Sequence, residues 1–114
     1  MAVSRRASGI APWAGLIAAG TGWGLHQQVV ADALHFDCSA TADGTGIALG
    51  IVALAIVLAG AIVSWLALPA ADTPASSATL RRFIVHLSLM AAALAALGIV
   101  FHLLAAAILP GCRP

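Results

Sequence analysis

The chain has no Lys, no Glu and no Tyr, and its charge rests on Arg and Asp alone: 8% of 114 residues, with a formal net charge of +1. A soluble domain ordinarily devotes about a quarter of its residues to charge. So few charges leave no basic stripe for nucleic acid and no acidic face for cations. The sequence also lacks a nucleophile-and-base constellation, a Gly-rich phosphate loop and a carboxylate pair, so it carries no sign of an enzyme. What it has instead is apolar surface, with 62% hydrophobic residues and a mean hydropathy of +1.07. A domain this small could not hide that much apolar area from water, which makes lipid its expected solvent.

Three apolar stretches, about 10–36, 46–68 and 83–109, each reach the roughly 20 residues needed to cross ~30 Å of hydrocarbon. The expected fold class is therefore all-α: one domain, residues 1–114, forming an integral membrane bundle of three transmembrane helices. Gln27, Gln28 and Asp32 interrupt the first stretch in its outer half. Polar segments from Asp37 to Thr45 and from Pro69 to Thr79 separate the stretches. Thr73, Ser77 or Thr79 is expected to cap the third helix, and Pro110-Gly111 to close it.

Arg5-Arg6 precede the first stretch and Arg81-Arg82 the third, while the segment between the first two holds Asp37 and Asp43 without a basic residue. The positive-inside rule then puts the N-terminus in the cytoplasm and the C-terminus in the periplasm, with Arg113 the one residue opposed. A rival reading makes Arg5-Arg6 and the run from Pro12 to Gly20 a cleaved secretory signal ending near Ala31-Asp32-Ala33. Trp23, His26 and the paired glutamines are unusual for such a segment.

The only cysteines, Cys38 and Cys112, follow the first and third stretches, so this topology brings both to the oxidising outer face. A disulfide between them is expected, worth nominally about 2–4 kcal/mol. The alternatives are free thiols or metal ligands, for which His35 alone supplies too few partners.

Four histidines are many for so apolar a chain, and ionisable groups within spans are functional suspects. His26 and His102 each fall roughly 10–14 Å below the outer end of their helices. Gly15, Ala19, Gly22 and His26 share one face of the first helix, and Ala91, Ala95, Gly98 and His102 one face of the third. Two such faces pack closely in lipid and aim both imidazoles into one seam. The bland reading is imidazoles hydrogen-bonded within the bundle, with no cofactor. The sharper one is haem b or a quinone bound near His26 and His102.

Gly20, Gly24, Gln28, Asp32 and His35 form a second stripe, opened by a GxxxG match and suited to facing protein. Asp32 with His35 is also a candidate proton-relay or quinone-binding pair. Trp13 and Trp65 are placed as interfacial anchors, Trp23 lies deeper, and the second stretch reads as lipid-facing filler.

With Trp23-Gly24-Leu25-His26-Gln27-Gln28 leading to Cys38, and Leu109-Pro110-Gly111-Cys112 at the end, the chain resembles small uncharacterised bacterial membrane proteins associated with haem-copper cytochrome oxidases. The resemblance implies an accessory subunit or assembly helper of a respiratory complex. It adds no catalytic residue, and the sequence lacks the copper ligand sets of an oxidase core. The expected role is a small non-catalytic subunit of an inner-membrane complex, with lipid and larger subunits as partners. A membrane redox module and a small homo-oligomeric ion-handling protein are the alternatives.

Overall fold

The computed structural model describes residues 9–36, 45–69 and 74–108, and of residues 30, 32–36 and 45 it describes the backbone alone. The described chain is all-helical: α1 (Ala14–Phe36), α2 (Thr45–Leu66) and α3 (Ala75–Ile108), with a 3-10 turn at Ala11–Trp13 leading into α1. At ~1.5 Å per residue these helices are about 35, 33 and 51 Å long. Gly46–Leu66 and Ala75–Ile108 are long and apolar enough to cross a membrane. Ala and Leu supply much of the helix propensity, and Pro12, Pro69 and Pro74 fall at element boundaries, where a missing N–H costs little.

The third helix starts at Ala75, eight residues before the apolar stretch that begins at 83. Apolarity marks where a helix enters hydrocarbon, whereas the backbone begins to wind as soon as Pro74 is passed. Ala78 N–H already donates to Pro74 O at 2.9 Å. Ser77 and Thr79 are not caps. Their hydroxyls donate backwards, to Pro74 O at 3.1 Å and Ala75 O at 2.8 Å, from inside the first turns. Thr73, Pro110 and Gly111 lie outside the described residues.

The end of α2 is closed by tight bonds, Ala67 N–H to Ser64 O at 3.1 Å and Leu68 N–H to Trp65 O at 3.2 Å. Arg81 Nε then donates to Ala67 O at 2.7 Å. A guanidinium thus neutralises the carbonyl end of α2 and joins it to the start of α3.

Large apolar side chains point outward and small residues point inward. Leu66 and Ile108 are each 76% exposed, and Ile62, Phe83, Met90, Leu94 and Phe101 are also exposed. The interior is Ala53, Val57, Ala92 and Ile99, with Trp23, Leu54 and Leu103 packed against it. Glycines set the approach of each helix pair. A Cβ on Gly60 would overlap Ala18, and one on Gly22 would come within 2.8 Å of Val57, so α1 and α2 meet there. Gly50 receives Leu103 between α2 and α3, and Gly98 receives the Trp23 indole between α3 and α1. Each helix therefore touches both others, as close packing in the absence of large interior side chains requires. The second helix is not filler: Gly50, Ala53, Val57, Gly60 and Ser64 form a continuous buried face.

Candidate functional site

At one end of the bundle, two serines tie the three helices together. Ser64 and Ser88 are both fully buried. The Gly15 N–H, in the first turn of α1, donates to Ser64 Oγ at 2.7 Å. Ser64 donates in turn to Pro12 O at 3.1 Å, with Ala11 O at 3.3 Å as the alternative acceptor. Ser88 donates to the same Pro12 O at 2.7 Å. A helix start leaves amides without helical partners; Ser64 of α2 accepts from one of them, and Ser64 and Ser88 add bonds to the Pro12 carbonyl. Trp13 and Trp65, the neighbours of Pro12 and Ser64, are 42% and 59% exposed at this level. Ser64 and Ser88 are not among the residues that spacing or motif singles out. Their lone hydroxyls within apolar runs were the available signal, because a hydroxyl inside a span needs a partner.

Nearer the other end, α1 and α3 bring two imidazoles together. The rings of His26 and His102 meet edge to face, with centroids 5.8 Å apart and planes at 73°. Trp23 lies against His102 on the same seam, its ring centroid 5.4 Å away. His26 is 4% exposed and His102 is open on the outer side of the bundle. Their hydrogen bonding differs. His102 Nδ1 bonds Gly98 O at 3.2 Å, and since a carbonyl only accepts, Nδ1 carries the hydrogen. In the neutral ring Nε2 then keeps its lone pair. His26 has no partner at either ring nitrogen. The expectation of hydrogen-bonded imidazoles therefore holds for His102, and for His86, whose Nδ1 lies 2.7 Å from Arg82 O, but fails for His26. The pattern Gly22–His26 places the ring beside Gly50, where an added Cβ would sit 3.3 Å from His26 Cε1, and no polar group of α2 stands at that level.

An open groove of about 360 Å³ runs between α1 and α3, lined by Ala19, Trp23, Ala91, Leu94 and Ala95. Trp23 is common to this groove and to the contact with His102, and neither histidine lines the groove.

Haem b does not fit the two histidines as they stand. A porphyrin ligated by both would have to pass between the rings, and the flanking space is taken by Trp23 against Gly98 and by Leu103 against Gly50. Among the described residues no group of three or more His, Cys, Asp and Glu side chains could hold a metal ion.

The second stripe has a different character. Gly20 and Gly24 are exposed, and a Cβ added at either would meet nothing within 4 Å. Gln28 is also exposed on α1. Asp32 and His35 belong to the last turns of α1, but their side chains lie outside the described residues, as do Cys38 and Cys112 in full. A comparison with known proteins found no matching family model, no matching curated protein and no matching solved structure.

Proposed function

We propose that this chain is a small non-catalytic subunit, or assembly partner, of a larger complex in a bacterial inner membrane. All three helices would span the bilayer, with the N-terminus cytoplasmic and the C-terminus periplasmic. The carrying observation is the division of the glycines. Gly15, Gly22, Gly50, Gly60 and Gly98 are filled by neighbouring helices of the same chain, whereas Gly20 and Gly24 stand open on α1. In lipid, a flat outward face with a glycine every fourth residue favours another helix over acyl chains, because backbones can approach closely there. Gln28, one turn further on, is exposed on the same helix.

Support for the membrane comes from the inside-out distribution of side-chain size. Water would penalise the outward Leu66, Phe83, Met90, Phe101 and Ile108, and hydrocarbon would not. The orientation rests on Arg5, Arg6, Arg81 and Arg82, and the respiratory setting on the resemblance carried by residues 23–28 and 109–112. Affinity purification of the full chain from its native membrane in mild detergent tests this reading. Recovery together with larger subunits, reduced by Gly24→Leu, is the expected result. Recovery solely as a monomer would oppose it.

A further inference from the structure

We infer that the outward face of α3 is a dimer seam, along which it pairs in parallel with α3 of a second copy of this chain. The inference rests on the proposed membrane placement, but not on the open glycine face, which belongs to α1.

Exposure and spacing together define the seam. Leu80, Leu87, Leu94, Phe101 and Ile108 stand seven residues apart, and Phe83, Met90, Leu97 and Leu104 fall between them. The steps therefore alternate between three and four residues from one end of the row to the other. All nine side chains are between 41% and 76% exposed. The one other large apolar side chain exposed on α3, Val100, borders the row. Alternation of three and four is the period of helices that wind around each other, because its mean of 3.5 residues follows a partner along a left-handed path. The inner side of α3 shows this period where it meets helices: Ala78, Val85, Ala92 and Ile99, again seven apart, are buried as α3 packs against α1 and α2.

Lipid does not account for the row. Acyl chains impose no period, and α2 shows what they accept: its exposed residues include the adjacent pairs Ile51-Val52 and Ile62-Val63, which point about 100° apart and form no single row. On α3 the exposed positions beside the row are small, Ala93 and Ala107 on one side and Ala105 on the other. Hydrocarbon has no need of small residues there, whereas a second backbone in close approach does. The row is also too long for the bilayer, about 42 Å from Leu80 to Ile108 against ~30 Å of hydrocarbon.

A second copy is the occupant that matches. Every molecule of this chain in the membrane has the same direction and depth, so two copies set row against row without an offset. Arg81 and Arg82 lie about 130° to either side of the row, so pairing brings no guanidinium against its own copy. Nine roughly half-exposed side chains offer on the order of 1,000 Å² per copy, so burying half of it in each reaches the ~1,000 Å² of a specific interface.

Photocrosslinking of the full chain in its native membrane provides the test, with two differently tagged copies co-expressed. p-Benzoylphenylalanine replaces Phe101 on α3 or, separately, Ile62 on α2. From Phe101 the expected product has twice the chain mass, carries both tags and is joined within about one turn of residue 101 of the second copy. From Ile62 no such product is expected. Met90→Ala with Leu97→Ala should weaken the dimer at least about tenfold in density-matched detergent, whereas Ile62→Ala with Val63→Ala should not. None of these four residues belongs to the buried core, so helicity should persist in both variants. Phe101 adducts with lipid alone, with other proteins alone, or far from residue 101 of the second copy would each overturn the proposal, as would a Met90 and Leu97 variant that dimerises like the parent. Gly24→Leu separates this from the subunit reading: it should strip co-purifying subunits and leave the dimer intact, and loss of the dimer would move the contact to α1 and overturn the seam.

Discussion

His26 faces His102 at 5.8 Å between ring centres, and its two buried nitrogens have no partner. An imidazole with both nitrogens buried and unpartnered costs the fold stability. Replacing it by an apolar residue of similar size removes the unsatisfied groups and keeps the volume. His26→Leu should therefore leave resistance to denaturing detergent unchanged or raise it by about 1 kcal/mol, measured by titration of helicity with SDS in mixed micelles. A loss beyond about 2 kcal/mol would mean that the ring has a structural partner after all.

Ser64 and Ser88 should differ in their importance. Ser64→Ala strands the Gly15 N–H as well as losing a donor, whereas after Ser88→Ala the Pro12 carbonyl still has Ser64. The same titration should show a cost of about 1–2 kcal/mol for Ser64→Ala and about 0.5–1 kcal/mol for Ser88→Ala. Equal costs would show that the Gly15 amide finds another acceptor.

The glycines separate into two groups by substitution. Gly98→Leu meets the Trp23 indole and should destabilise the monomer by about 1–3 kcal/mol, with a change in the tryptophan near-UV circular dichroism. Gly20→Leu and Gly24→Leu meet nothing, so the monomer should keep its stability, or gain slightly from the better helix former, while co-purifying subunits are lost. If Gly24→Leu melted the monomer, the open face would have to be an internal one.

Arg81 has two roles that can be taken apart. Its guanidinium closes the end of α2 through Ala67 O, and in the proposed topology its charge favours the cytoplasmic side. Arg81→Lys keeps the charge and loses the planar Nε donor. It should retain topology in cysteine-accessibility labelling of intact cells, yet lower stability by about 0.5–1 kcal/mol. An inverted topology in this variant would show that the contact with α2, and not charge, sets the orientation.

Much of the helical layout was legible from the residues. Proline placement and apolar run length are local properties, and they located α2 and the end of α1 to within about two residues, the usual uncertainty of helix ends. The apolar stretch begins eight residues after α3 itself, because hydropathy reports the solvent around a helix, whereas winding depends on backbone bonds that begin at Pro74. Helical phase also put His26 and His102 on facing tracks, since the 3.6-residue period fixes which side chains share a face.

The sequence by itself determined a small all-helical chain with outward apolar bulk, because composition and periodicity are independent of how helices dock. Tertiary structure alone decided which glycines are filled and which stand open, that Ser64 and Ser88 share the Pro12 carbonyl, and that His102 is hydrogen-bonded while His26 is not. Those properties depend on the axial offset and rotation of one helix against another. Such offsets come from side-chain contacts between residues dozens of positions apart, which no local pattern encodes.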